Sequence, residues 1–155
     1  MWNRKGQVMA EAPRKSTQLK YELAGTGPVK TDPPAGASVL VVDDDVDITR
    51  FIGAVLSSRG VSHVSAFDPI QGFMVAQRQH PRLILVDWHM PAGGGPLLLR
   101  KLRDSSKTAD IPVIVVTSDS APNLPAEAAA LGAQHFLHKP LDPDSLAEAV
   151  GRYVR

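Results

Sequence analysis

Cysteine is absent from the 155 residues, which excludes a disulfide scaffold, a thiolate metal site and cysteine catalysis. Long apolar runs are missing too. The longest stretches reach four to six residues, far short of the ~20 needed to cross a bilayer, so no membrane partner is expected. No apolar segment near the start reads as a secretory signal, and the expected compartment is the cytoplasm. Aromatic residues make up only 5% of the chain, and neither sign of charge dominates. Residues 1–36 carry six Lys/Arg against three Asp/Glu, whereas residues 37–155 carry eleven against thirteen. A basic arm thus precedes a mildly acidic domain, which is a weak basis for nucleic-acid binding, and no nucleic-acid partner is expected.

What the chain does have is a hydrophobic fraction of 43%, with twelve Gly and thirteen Pro. This suits one core broken by many connections. Residues 1–36 show little periodicity and are rich in Lys, Pro, Gly, Ser and Thr, so the arm is expected to be disordered. A docking segment anchored by Trp2, Leu19, Tyr21 and Leu23 is the competing reading, and a nucleic-acid arm a weaker one. The folded domain is expected over residues 37–155.

From Ser38 a regular alternation sets in. Val39–Val42, Leu83–Val86 and Val113–Val116 are short, β-branched-rich runs, too short for helices and apolar enough to be covered on both faces. Val61–Phe67 and the segment at Phe136-Leu137 read as two further strands. Helical spacing places Ile48, Phe51, Ile52, Val55 and Leu56 on one face, with Asp47 as the expected N-cap. Further helices are expected after Asp68-Pro69, from Pro96 to about Arg103, over Ala126–Leu131 and after Asp142-Pro143. Five strands alternating with five helices and short loops give a doubly wound parallel α/β sandwich.

The strand ends carry the chemistry. Asp43, Asp44 and Asp45 follow the first strand, Asp87 the third, Thr117 and Ser118 the fourth, and Lys139 the fifth. In an open parallel sheet these ends share one edge, where ligands bind. Clustered carboxylates repel, so the pocket wants a proton or a cation. Oxygen ligands without a His/Cys framework favour a hard ion such as Mg²⁺, or Mn²⁺ in its place. A cation and an ammonium beside one carboxylate prepare it for a negatively charged electrophile. Attack of Asp87 on a phosphoryl donor fits, with Lys139 and Thr117 meeting the phosphoryl oxygens.

Val39-Leu40-Val41-Val42-Asp43-Asp44-Asp45, Leu83-Ile84-Leu85-Val86-Asp87-Trp88-His89-Met90-Pro91, Val115-Val116-Thr117-Ser118 and His138-Lys139-Pro140 together resemble the motifs of a two-component response-regulator receiver domain, CheY-like in fold. Their separations of 43, 30 and 22 residues, from Asp44 to Asp87 to Thr117 to Lys139, match that family's order. The resemblance implies strand order 2-1-3-4-5, with Asp87 as phosphoacceptor. It implies metal ligation by Asp43, Asp44, Asp87 and the backbone carbonyl of His89, and a cis Lys139-Pro140 bond. Lys139 would pair with Asp87, Thr117 would move on phosphorylation with Phe136 following, and His89 and Asp119 would tune phosphoryl lifetime. The donor would be a histidine kinase or a histidine phosphotransfer protein. No further domain follows in the sequence to read the change, so output is expected through another protein, with a homodimer as an open possibility.

The chain departs from the family pattern in three places. Gly94-Gly95 stands where Asp-Gly is common, so three consecutive glycines should give a mobile approach to the third helix. Phe136 lacks a tyrosine hydroxyl. Pro122 and Pro125 should leave the fourth helix short or displaced. These departures keep alive a divergent pseudo-receiver that acts as an unphosphorylated interaction module. An aspartyl-phosphate phosphatase is a weaker reading, because His89 occupies the position of its second acid. Trp88 is expected over the mouth of the site or on the surface beside it.

Overall fold

In the computed structural model, residues 38–154 are described; the expectations for the arm of residues 1–36 lie outside them. Three strands form from the almost wholly apolar runs: β1 (Ser38–Val42), β3 (Leu83–Asp87) and β4 (Val113–Thr117). They occupy the middle of a five-stranded sheet, with β2 (Ser62–Ala66) and β5 (His135–His138) at its edges. The order is β2-β1-β3-β4-β5 and every pairing is parallel. Burial on both faces explains the central runs, because a strand clad on two sides has no polar face to show.

Alternation along each strand then divides the core. Val39, Val41, Leu85, Ile114 and Val116 point to one side, where they meet Ile52 and Leu56 of α1 (Val46–Ser58) and Leu146 and Val150 of α5 (Pro143–Gly151). Leu40, Val42, Ile84, Val86 and Val115 point to the other. There they meet Val75 and Ala76 of α2 (Pro69–Gln79), Leu98 and Leu102 of α3 (Gly94–Asp104), and Leu124 and Ala128 of α4 (Leu124–Ala130). None of the described helices is long and apolar enough to cross a membrane.

Several local expectations change. The N-cap of α1 is Asp45, not Asp47: Asp45 has extended backbone angles, and its carboxylate accepts from the N–H groups of Asp47 and Ile48 at 2.9 and 3.4 Å. A cap must precede the first helical residue, and Asp47 already lies inside the first turn. The third helix starts two residues early, at Gly94. The fourth is short, as expected, with seven residues, and Pro125 sits in its first turn, where a missing N–H is tolerated.

Trp88 is buried, 5% exposed, within the core against α3. Alternation accounts for this: Asp87 points up into the site, so the next side chain turns to the helical layer. The glycines beyond it are tightly packed. A Cβ on Gly95 would lie 2.9 Å from the Asp87 carbonyl oxygen, and a Cβ on Gly94 would press on the carbonyl oxygen of Trp88.

Candidate functional site

Parallel strands end together, and the polar tips of β1, β3, β4 and β5 do meet at one edge. Asp43 directly follows β1, is 2% exposed, and accepts from the N–H of Asp45 at 2.9 Å. Asp87 ends β3 and Thr117 ends β4, both buried. Lys139 follows β5, and its backbone N–H donates to the Thr117 carbonyl at 2.8 Å. The Lys139–Pro140 peptide is cis. Asp43, Asp44 and Asp87 each bring a carboxylate oxygen within 4.8 Å of the others. Three hard oxygen donors so close suit a small divalent cation such as Mg²⁺.

Lys139 makes its short contact with Asp43, Nζ to Oδ2 at 2.8 Å, and stands 3.7 Å from Asp87. The expected Lys139–Asp87 pair is therefore the looser of two. The reason is burial: Asp43 has almost no access to water and has more need of a direct donor. Asp45 and Ser118 do not join the cluster; Asp45 caps α1 and Ser118 is exposed.

The electrostatics follow from this crowding. Burial, then the charge of Asp43, pushes the Asp87 carboxyl up to about 6, against the pull of Lys139 and of the His89 N–H. Burial also raises the Asp43 carboxyl, although the hydrogen bond from Lys139 and that from the Asp45 N–H oppose it. For Lys139, burial favours the neutral amine, but the hydrogen bond to Asp43 and the charges of Asp43, Asp87 and Asp45 outweigh it and the ammonium is stabilised. Three carboxylates against one ammonium leave a cup with room for more positive charge.

At the rim, His89 Nε2 and Asp119 Oδ2 lie 2.6 Å apart, joining the loops after β3 and β4. That contact, with the Ala121 N–H second, holds the Asp119 carboxyl below the usual range. The resemblance pairs these two residues in tuning phosphoryl lifetime, but the sequence carries no signal that they touch. The Thr117 hydroxyl accepts from the Asp119 N–H at 3.2 Å. Phe136 is half-buried against the α3 and α4 side of the core, with its ring edge-on to His138. An open depression of about 440 Å³ is lined by Trp88, His89, Met90 and Pro91 after β3 and by Pro96 of α3.

Known proteins resemble the chain in sequence and in fold. The chain is 30% identical to the phosphate regulon transcriptional regulatory protein PhoB of Pseudomonas aeruginosa over 120 residues, 77% of this chain and 52% of that protein. The chain thus spans about half the length of the curated relatives it matches. The chemotaxis protein CheY4 of Vibrio cholerae superposes with a TM-score of 0.73 at 28% identity, covering 77% of this chain and all of that one. The receiver domain of the sensor histidine kinase PA1611 of Pseudomonas aeruginosa, solved with magnesium in its active-site cleft, gives 0.70 at 27% identity over 77% and 98% of the two chains. Residues 39–151 match the family model of the response regulator receiver domain. The chain therefore belongs to the receiver domains of two-component signalling, a family of phosphorylation-dependent switches and not of enzymes in the ordinary sense.

Proposed function

We propose that Asp87 accepts a phosphoryl group from a phosphohistidine of a histidine kinase or a phosphotransfer protein, and that the chain passes the signal on by contact with another protein in the cytoplasm. The observation that carries this reading is the buried Asp87 carboxylate set within 4.8 Å of two further carboxylates and 3.7 Å from the Lys139 ammonium. An Asp87 oxygen forms the new bond to phosphorus while the P–N bond breaks, and its electron pair leaves with the imidazole. Asp87 must be ionised to attack, and with its carboxyl near 6 it is so at neutral pH. Mg²⁺, held by Asp43, Asp44, Asp87 and the His89 carbonyl, would supply positive charge against the phosphoryl oxygens.

Lys139 then turns from the carboxylates to the phosphoryl group. Thr117 accepts from an N–H and still has its O–H to donate to a phosphoryl oxygen. That new bond draws Thr117 inward, and Phe136 follows into the space released. The His89–Asp119 pair at the rim restricts and orients the water that later hydrolyses the acyl phosphate. His89→Ala should therefore change the rate of phosphate loss, and an unchanged rate would remove this role. Between residues 38 and 154, ten Lys/Arg face thirteen Asp/Glu, a balance that favours a protein over nucleic acid as listener.

A second reading, an unphosphorylated interaction module, draws on Gly94 in place of an acid and on the seven-residue α4. One experiment separates the two. The chain is incubated with acetyl phosphate and Mg²⁺ and its intact mass is recorded. Wild type should gain one phosphoryl group and Asp87→Asn none; no gain in wild type would favour the module.

A further inference from the structure

Large apolar side chains exposed to solvent are few among the described residues: Phe51, Ile70 and Met74. Two of them lie on α2, four residues apart, and so on one outward line of the helix. Ile70 is 44% and Met74 60% exposed, and Arg78 extends the line by another turn. Beside them Phe73 is half-buried, and Lys101 of α3 stands over its ring with Nζ 5.5 Å from the centroid. One turn on, Gln77 Nε2 donates to Ser105 Oγ at 3.3 Å, which ties the two helices side by side.

Charge on this face runs against that of the domain. Residues 69–79 contain no acid, and residues 94–104 contain only Asp104 against Arg100, Lys101 and Arg103. Arg103 is turned away and donates to the carbonyls of Ala109, Ile111 and Gly132. Arg78, Arg100 and Lys101 are left on a domain with three more acids than bases between residues 38 and 154.

We propose that the α2–α3 face is a docking surface for an acidic amphipathic helix of a partner protein. Its apolar side covers Ile70, Phe73 and Met74, and its carboxylates meet Arg78 and Lys101. Charge selects this occupant. The chain's own first 37 residues, with six Lys/Arg against three Asp/Glu, have the wrong sign to lie on a basic rim. The surface does not depend on phosphorylation of Asp87, so it stands or falls separately from that chemistry.

The test uses the full chain and a synthetic helical peptide with Leu at i, i+3, i+4 and i+7 and Glu on its other face. An otherwise identical peptide with Lys for Glu is the control. Two-dimensional NMR should show saturable shifts at Ile70, Phe73, Met74 and Lys101 with the Glu peptide only. Met74→Gln and Lys101→Glu, with unchanged melting temperatures, should each weaken binding about tenfold, and added salt should weaken it further. Equal binding of the Lys peptide, or shifts confined to another face, or no saturable shift, would overturn the proposal. So would concentration-dependent shifts of the same residues without peptide, which would make the face a contact between two copies of the chain.

Discussion

Gly94 shows how a single residue shapes the site it borders. Its backbone has φ +60°, and any Cβ there would meet the carbonyl oxygen of Trp88. Gly94→Asp, which would restore the acid common in the family, therefore combines a left-handed side-chain residue with a backbone clash. It should lower stability by about 1–3 kcal/mol, read as a lower melting temperature; an unchanged value would mean that the loop readjusts freely. Asp43, Asp44, Asp87, Thr117 and Lys139 were all legible in the sequence, because parallel strands deliver their ends to one edge. Which carboxylate Lys139 would hold was not legible. Asp43 and Asp87 stand at the ends of neighbouring strands, one just past β1 and one closing β3, and only the near-complete burial of Asp43, 2% exposed, favours it. Trp88 departs from expectation for a related reason: an aromatic after a strand suggests a mouth, but the alternation that aims Asp87 upward sends its neighbour into the core.

Among the elements, β2 combines a tight approach to α1 with buried polar atoms that lack partners. A Cβ on Gly53 would stand 2.6 Å from His63 Nε2. That nitrogen, Ser62 Oγ and Ser65 Oγ are buried without a hydrogen-bond partner among the described residues. Central strands were readable from their apolar runs, whereas this edge strand, with Ser, His and Ser, shows no pattern that fixes its packing. Gly53→Ala should destabilise by about 1–3 kcal/mol, and His63→Val should recover most of that in the double variant. Burial holds the His63 imidazole below its ordinary value of 6.5, against a backbone hydrogen bond to Val61. The charged residues of the facing helix, Asp47, Arg50 and Arg59, are exposed, β1 and β2 carry no charge, and none of these groups contributes to that shift. The unfolded chain thus takes the proton first, so the contribution of neutral His63 is complete above pH 6.5 and is withdrawn as pH falls below it. Melting curves from pH 7.5 to 5 should fall more steeply for wild type than for His63→Val; parallel curves would show that His63 does not titrate on unfolding.

The whole molecule concentrates its electrostatic conflict at one edge of the sheet. Asp43, Asp44 and Asp87 crowd within 4.8 Å around one ammonium, and the fold bears their repulsion whenever all three are ionised. Without a cation, Asp87 keeps a proton up to about pH 6, well above its ordinary 3.8. The folded state then holds a proton that the unfolded chain has lost, and stability declines as pH rises from about 4 to about 6. A divalent cation reverses this. It favours the ionised carboxylate, binds only the folded chain, and must displace the proton as pH falls. Mg²⁺ at 100 times its dissociation constant should add about 2.7 kcal/mol at pH 7.5, and the gain should shrink steadily below pH 6. Melting temperature measured across pH with Mg²⁺ and with a chelator tests both halves. Asp44→Asn, which removes one donor oxygen's charge from the half-buried member of the cluster, should lose most of the Mg²⁺ gain and keep the rest of the profile. If Mg²⁺ raises the melting point of that variant as much as that of wild type, or raises neither, the three carboxylates do not act as one cation site, and their convergence at the strand ends has some other cause.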